Sequence, residues 1–350
     1  MPYNKNYVNG ISVLICCYNS EQRLPRTISA LAEQLRPDIA EFAIEVLVVD
    51  NASKDKTYAT AKSLLEDPDF PYNGRVLYEQ KPGKSHALER GLQEAQYKYI
   101  AIVDDDNWLA PDYLLLANAL MEANPKIGVL GGVGAPVCEV VPPSWFSRFA
   151  IDYAADRQAD YSGDITSEPG FLYGAGSVIR RAAWEQVREA GFHSLLTGRY
   201  GNNLNSGEDN ELCYVLALAG YRIWYDERLK FQHFIPAQRL NWNYVRRLYK
   251  GNAASEVSLR PYRHFMQRTD VPVLPWIRNG LYAGRFALKA SWRAIRQKQF
   301  FPREGNREFL LAAFYWHEVW LYFNKAWKQD PKFIQVQQLT TRLNTSSHRA

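Results

Sequence analysis

The sequence predicts an α/β protein with a parallel sheet at its centre and helices appended to it. Three observations carry this. Short apolar, β-rich runs recur at 11–17 (ISVLICC), 44–50 (IEVLVVD) and 99–104 (YIAIVD). Helical patterns separate them, so strand, turn and helix repeat about every 30 to 40 residues, as βαβ units do. Composition then changes: residues 235–350 hold 20 Lys and Arg against 6 Asp and Glu, whereas 1–234 hold 22 against 31. A chain of 350 residues, 47% hydrophobic and 23% charged, suits one large domain or two modest ones.

The run 11–17 is apolar throughout, as a strand buried on both faces should be. Tyr18-Asn19-Ser20 makes a polar turn, and Leu24, Ile28, Leu31 and Leu35 mark a helix. Residues 44–50 form the second strand, ending in Asp50-Asn51-Ala52-Ser53, with a helix through Ala59, Leu64 and Leu65. Arg75 to Glu79 form the third strand. Gly83-Lys84-Ser85 opens a helix over 86–96, and 99–104 is the fourth strand. Further on, 127–134 and 171–179 read as strands, 180–190 and 208–219 as helices, and Arg222 to Tyr225 and Leu229 to His233 as two strand-like runs. The stretch 135–170 mixes proline, aromatics and acids and reads as a long active-site loop. Arg199 to Gly207, rich in Gly and Asn, reads as a mobile loop. Gly131-Gly132-Val133-Gly134 is no dinucleotide fingerprint, because Pro136 and Pro142-Pro143 intervene before any helix.

Composition narrows the function classes. The opening MPYNKNYVNGISVLICCYNS has no charged region followed by a long apolar one, so no secretory signal is expected in it. No run reaches the ~18 apolar residues of a spanning helix; Phe309 to Phe323 comes nearest and is broken by His317 and Glu318. Cys16, Cys17, Cys138 and Cys213 form no CxxC pair and read as reduced core residues in a reducing, cytoplasmic compartment. No Walker loop, HExxH or GxSxG occurs, and His86 and His193 read as structural.

Three adjacent carboxylates, Asp104, Asp105 and Asp106, end the fourth strand. Ionised carboxylates in apolar surroundings cost several kcal/mol unless compensated, and a bound cation is the simplest compensation. Strand side chains alternate, so the first and third share a cleft. Hard ions such as Mg²⁺ and Mn²⁺ take oxygen ligands and keep substrate phosphates in their shell. The other reading is a capping Asp beside solvated loop acids. Ligands of parallel sheets bind outside the carboxyl ends of the strands, where Asp50 and the triple Asp should meet.

VVDNASKDKT (48–57) and IVDDDNWLAP (102–111) resemble the donor-site motifs of family 2 glycosyltransferases. ISVLICCYNSEQRLPRTISAL, KPGKSHALERGL, GAGSVIRRAAWEQV and GEDNELCYVLALAGYRIWYDERLKFQH resemble other parts of that family, in the same order, so the likeness runs over roughly residues 11–235. It implies the GT-A fold, the Rossmann-like fold of nucleotide-diphospho-sugar transferases. The catalytic domain would be 1–235, with a nucleotide-sugar half over about 1–130 and an acceptor half over about 131–235; 236–350 would be a basic, aromatic-rich helical extension.

The resemblance implies inverting transfer of a sugar from a nucleotide-diphosphate donor, a UDP-sugar, to a hydroxyl of a glycan or lipid-linked acceptor. Asp50 matches the carboxylate that bonds the base. Tyr18, Asn19 and Lys84 lie on turns facing base and ribose. Asp104 matches the nucleotide-facing Asp, and Asp105 and Glu208 count with the donor contacts. Asp106 matches the ligand of a Mn²⁺ or Mg²⁺ ion that offsets charge on the leaving diphosphate. Asp209 matches the base that accepts the acceptor's proton; an acid pair on a helix N-terminus is the plainer reading of Glu208-Asp209. In some relatives a His at His233 completes the metal site, against a hydrogen-bonded structural His. Gly174-Ala175-Gly176 would let the donor sugar approach the backbone, or simply pack tightly. Gln238-Arg239-Leu240-Asn241-Trp242 resembles the QxxRW motif of processive synthases, with Asn241 where the Arg should be; Trp242 either walls the acceptor site or packs.

Residues 276–299 fit a helix. Arg278, Arg285, Lys289, Arg293 and Arg296 share one face, beside a stripe of Ile277, Leu281, Leu288, Trp292 and Ile295. This suits an anionic membrane surface at the inner face of the cell membrane, or a helix packed on the catalytic domain with a solvated basic face. The aromatic run 314–323 fits either. No nucleic-acid-binding motif accompanies the basic charge, so no nucleic-acid partner is expected. The rivals to a glycosyltransferase are a nucleotidyltransferase, which needs a glycine-rich phosphate loop where Cys17-Tyr18-Asn19-Ser20 stands, and a non-catalytic sugar- or membrane-binding module.

Overall fold

The structure is a computed structural model that describes residues 7–35, 42–196, 207–268, 270, 272–299, 301, 303–324 and 330–347. Of the expected loop from Arg199 to Gly207, all but Gly207 lies outside them. Among the described residues one mixed sheet of nine strands forms the centre. β1 (Gly10–Cys17), β2 (Ala43–Asp50), β3 (Asn73–Tyr78) and β4 (Tyr99–Asp104) run parallel in the order β3-β2-β1-β4, linked through α1 (Leu24–Ala32), α2 (Thr57–Leu65) and α3 (Lys84–Glu94). The chain continues through β5 (Asn107–Leu109), α4 (Tyr113–Ala123), β6 (Ile127–Cys138), a 3₁₀ helix (Phe146–Tyr153), β7 (Gly163–Asp164), β8 (Ser177–Arg180), α5 (Arg181–Glu189), α6 (Glu208–Leu218) and β9 (Arg222–Ile235). β8 lies antiparallel between β4 and β6, β9 parallel to β6, and β5 and β7 antiparallel to β9. Four helices follow: α7 (Trp242–Phe265), α8 (Pro275–Arg296), α9 (Arg307–Asn324) and α10 (Asp330–Ser347).

The continuous apolar runs are explained by burial on both faces of the sheet. Leu14, Leu47, Ile100 and Ile102 enter one core with Ala87 and Leu92 of α3. Their neighbours Val13, Ile15, Val46 and Val48 enter the other, with Leu24 and Ile28 of α1. Two-residue periodicity thus divides each strand between two cores. The order reverses at β1, with β2 on one side and β4 on the other, which opens a crevice at their carboxyl ends. The four cysteines make no disulfide, and burial pushes the Cys16 and Cys213 thiols up to about 12.

Several expectations change. The strand expected over 171–179 is only Ser177–Arg180, because Gly176 turns the chain at φ 70°. The expected loop 135–170 carries the end of β6, the 3₁₀ helix and β7. The runs 222–225 and 229–233 belong to one strand, β9, whose register against β6 slips between Gly131 and Val133. Trp242 does not wall an open site: it is buried edge-on against Trp145 and Phe149. Among the described residues no helix is long and apolar enough to cross a membrane.

Candidate active site

The crevice is built by strand register. Cys17 pairs with Asp50 and Cys16 with Asp104, so β1, β2 and β4 end at one level. The turn after β1 is locked to the turn after β2: the Asn19 amide N–H donates to Ser53 Oγ at 3.0 Å, and Lys54 N–H donates to Asn19 Oδ1 at 2.8 Å. Asn19 adopts φ 49°, a left-handed conformation that Asn tolerates better than most residues. Asp50 is buried and accepts from Ser53 N–H at 3.2 Å, while Tyr18 is exposed at the rim. Asn51, absent from the expected site, spans the next turn. It donates to the Lys81 carbonyl at 2.7 Å and accepts from Gly83 N–H at 2.7 Å. That fixes the start of α3, and Lys84 there meets Asp104 Oδ1 at 2.5 Å.

The three aspartates separate where β4 ends, with Asp105 and Asp106 forming the turn into β5. Asp104 turns to Lys84. Asp106 turns to the other end of the crevice, where His233 Nε2 lies 3.5 Å and Arg239 3.4 Å from its carboxylate. Asp105, expected among the donor contacts, is placed elsewhere: it is buried toward α1, bonded by Ser20 and by Arg23 at 2.7 Å, while Thr27 Oγ1 donates to its carbonyl at 2.8 Å. Burial and the Asp106 charge push the Asp105 carboxyl above its usual range, against the pull of Arg23 and Ser20. Burial also works to raise Asp106, but His233, Arg239 and Arg23 outweigh it and hold that carboxyl well below the usual range.

His233 sits opposite Asn107 of β5 and Pro136 of β6. Its Nδ1–H donates to the Tyr153 carbonyl at 2.7 Å, since a carbonyl can only accept. Nε2 is therefore the nitrogen presented to Asp106, the orientation that a ligating histidine takes from its outer partner. Among the described residues no three His, Cys, Asp or Glu side chains converge as a cation cage. Asp106 and His233 offer two donors, which fits an ion that draws its remaining ligands from substrate phosphates. Arg239 was not anticipated. The signal was the QxxRW likeness, read at the wrong position: Asn241 instead caps α7, accepting from Tyr244 N–H at 3.0 Å, and the cation reaches in from two residues earlier.

Asp209 is in the first turn of α6, with Glu208 and Glu211. Its Oδ2 accepts from Gly174 N–H at 2.9 Å. A Cβ on Gly174 would lie 3.3 Å from the Asp209 Cβ, so the glycine permits this approach. Gly174 is joined to β8 by Ser177 N–H at 3.1 Å, and Ser177 pairs with Ile102, two residues before Asp104. Asp209 thus lies one short loop from β8, beside the strand that ends at Asp104. Gly176 packs on Tyr113, whose hydroxyl bonds its carbonyl, which is the tight-packing reading of that glycine. Glu211 faces inward: it accepts from Leu195 N–H at 2.7 Å and from the Tyr262 hydroxyl at 3.0 Å.

A mixed α/β sheet with helices packed on it and a helical C-terminal part is the architecture of GT-A glycosyltransferases. Residues 12–188 match the model of Glycosyl transferase family 2, and the chain belongs to that family. It is 28% identical over 247 residues to the poly-beta-1,6-N-acetyl-D-glucosamine synthase of Staphylococcus epidermidis, covering 67% of this chain and 54% of the synthase. It is 23% identical over 280 residues to the Staphylococcus aureus synthase of that name, covering 77% of this chain and 60% of the synthase. The chain therefore spans little more than half the length of the curated relatives it matches. Its fold resembles the mannosyltransferase PcManGT from Pyrobaculum calidifontis, solved with GDP-Man and Mn²⁺, at a TM-score of 0.54 and 17% identity over 98% of this chain and 87% of that one.

Proposed function

We propose that the chain is an inverting glycosyltransferase that moves a sugar from a nucleotide-diphosphate donor, a UDP-sugar, to a hydroxyl of a glycan or lipid-linked acceptor. Residues 1–235 form its catalytic domain and 236–350 its helical extension. A lipid-linked acceptor would be met at the inner face of the cell membrane. The observation that supports this reading is that Asp50 and Asp104 end level strands on either side of β1, with the Asp106–His233 pair in the turn that follows Asp104.

In this reading Asp50 accepts from the base, and Tyr18 and Asn19 border it. Lys84 and Asp104 face the ribose and phosphates, with Glu208 at the donor's far end. Asp106 and His233 would hold Mn²⁺ or Mg²⁺, which when bound supplies Lewis-acid stabilisation to the diphosphate. Arg239 adds a fixed cation beside the same phosphates. Asp209 takes the proton of the acceptor hydroxyl, whose oxygen bonds to C1 as the C1–O bond to the diphosphate breaks. The Gly174 N–H holds the Asp209 carboxylate in place. One displacement at C1 inverts the anomeric centre.

The test is a thermal-shift and hydrolysis screen of UDP-sugars and GDP-mannose with Mn²⁺ or EDTA. Wild type should gain stability and hydrolyse one donor slowly with Mn²⁺, and Asp106→Ala should lose the metal dependence. Asp209→Asn should keep nucleotide affinity while transfer falls by ~10²-fold or more. Wild type that responds to no nucleotide-sugar with or without metal would overturn the reading.

A further inference from the structure

We propose that α8 is the docking face of the chain for an anionic lipid bilayer. The inference does not depend on sugar transfer, and its test reads binding alone. The helix carries two apolar faces of different kinds. Its small residues, Ala283, Ala287, Ala290 and Ala294, are buried. At about 100° per residue they lie on one side of the helix, and Leu281, Leu288, Trp292 and Ile295 lie within an arc of roughly 60° on the opposite side. Those four are exposed at 65%, 63%, 60% and 60%. Ordinary amphipathic helices bury the bulky face and expose the polar one. Here alanines let α8 lie close on the protein, and the bulky stripe, about 20 Å long, faces solvent.

The neighbouring helix continues the patch. Trp316, Trp320 and Phe323 of α9 are each about half exposed. Trp316 Nε1–H donates to Ser291 Oγ at 3.1 Å, and the Phe323 ring packs edge-on to Trp276. Trp316 and Phe323 therefore line the seam along α8, and an indole at such a border suits the headgroup level of a bilayer.

Charge selects the occupant. Arg278, Arg285, Lys289, Arg293 and Arg296 flank the apolar stripe and are exposed. Between Pro275 and Arg296 there is no Asp or Glu. Arg293 bonds Glu308 at 2.9 Å. A second copy of this chain docking face to face would set these cations against their own kind. A nucleic acid would leave three exposed aliphatic side chains against phosphates. Anionic headgroups above an acyl layer answer both the cations and the aliphatics, each Lys or Arg near such a surface adding binding.

The experiment uses the full chain and co-sedimentation with vesicles of phosphatidylcholine alone or with about 30% phosphatidylglycerol. Binding is expected on the anionic vesicles, at least about tenfold weaker on the neutral ones and falling with salt. Leu288→Ser with Trp292→Ser should lower anionic-vesicle binding at least about tenfold without lowering the melting temperature, since neither side chain is buried. Arg285→Gln with Lys289→Gln should lose about tenfold or more on anionic vesicles and little on neutral ones. Three results would overturn the proposal: no binding of wild type to anionic vesicles, equal binding by the Leu288/Trp292 variant, or a dimer by sedimentation that this variant dissociates while vesicles capture nothing.

Discussion

Asp105 is held by Ser20 and by Arg23 at 2.7 Å, with a side chain 12% exposed, whereas the Asp104–Lys84 pair has side chains 25% and 36% exposed. Breaking a buried pair costs ~3–5 kcal/mol when the survivor stays buried, and an exposed pair is worth under ~1 kcal/mol. Arg23 is about one-third exposed and can rehydrate in part. Asp105→Ala should therefore lower stability by about 2 kcal/mol. Asp104→Ala should change it by less than about 1 kcal/mol while weakening nucleotide binding. Urea unfolding beside nucleotide titration separates the two; equal stability losses would show that the aspartates are not divided as their partners suggest. That the triple Asp closes a strand was legible in the sequence; that Asp105 leaves the crevice was not, because Asp105 and Asp106 form the turn into β5 and strand alternation stops at Asp104. The partners were not legible. Arg23 and Ser20 reach Asp105 across about 80 residues of chain, and Arg239 was hidden because a motif's register was transferred by position rather than by reach.

At the scale of elements, β6 and β9 show why two short runs read from sequence are one strand. Gly131 pairs with Tyr225, and Val133 with Lys230, so residues 226–229 bulge out opposite Gly132 alone. Arg228 and Asp226 bond one another within the bulge, at 2.9 and 2.8 Å. The bulge folds onto Gly132, where a Cβ would lie 1.8 Å from the Leu229 carbonyl oxygen. Gly134 is similarly covered by the Ala154 carbonyl, at 2.1 Å from an ideal Cβ. The GGVG run is thus a strand that backbone crosses closely, and the polar DER triplet between two apolar runs was the trace of the bulge. Because carbonyls rather than flexible side chains block the space, Gly132→Ala should destabilise by at least about 2 kcal/mol. Gly284→Ala is the contrasting case. That glycine is inside α8, a Cβ there would be 3.9 Å from Val319, and helix propensity favours Ala by up to ~1 kcal/mol. Thermal unfolding should move in opposite directions for the two variants.

Across the whole molecule, the acidic sheet and the basic helices were distinguishable in sequence by charge alone. Which side of α8 faces the protein was not, because alanines and leucines both read as apolar and only packing ranks them. The helices also bury a carboxyl that periodicity could not flag. Glu318 of α9 is buried, and burial pushes it up to about 7, with Arg260 and Arg263 pulling down and Glu256 adding to the push. Asp152, in the 3₁₀ helix, is lifted by burial to about 6, against Tyr249 and Arg307. A carboxyl raised in the folded state binds its proton more tightly there than in the unfolded chain. Its contribution to stability is complete below the unfolded value and is lost as pH rises through the folded one. Asp152 therefore makes stability fall between about pH 4 and 6, and Glu318 between about pH 4.5 and 7. The lowered Asp106 acts oppositely, but its contribution is lost only in stronger acid, below both windows. Glu318→Gln keeps the shape, cannot ionise, and should remove roughly 2–3 kcal/mol of the loss between pH 5 and 8, leaving the part due to Asp152. Urea unfolding of the full chain at the two pH values measures it. An unchanged slope in Glu318→Gln would mean that Arg260 keeps Glu318 ionised throughout, and that the helices are held by a buried ion pair rather than by a protonated acid.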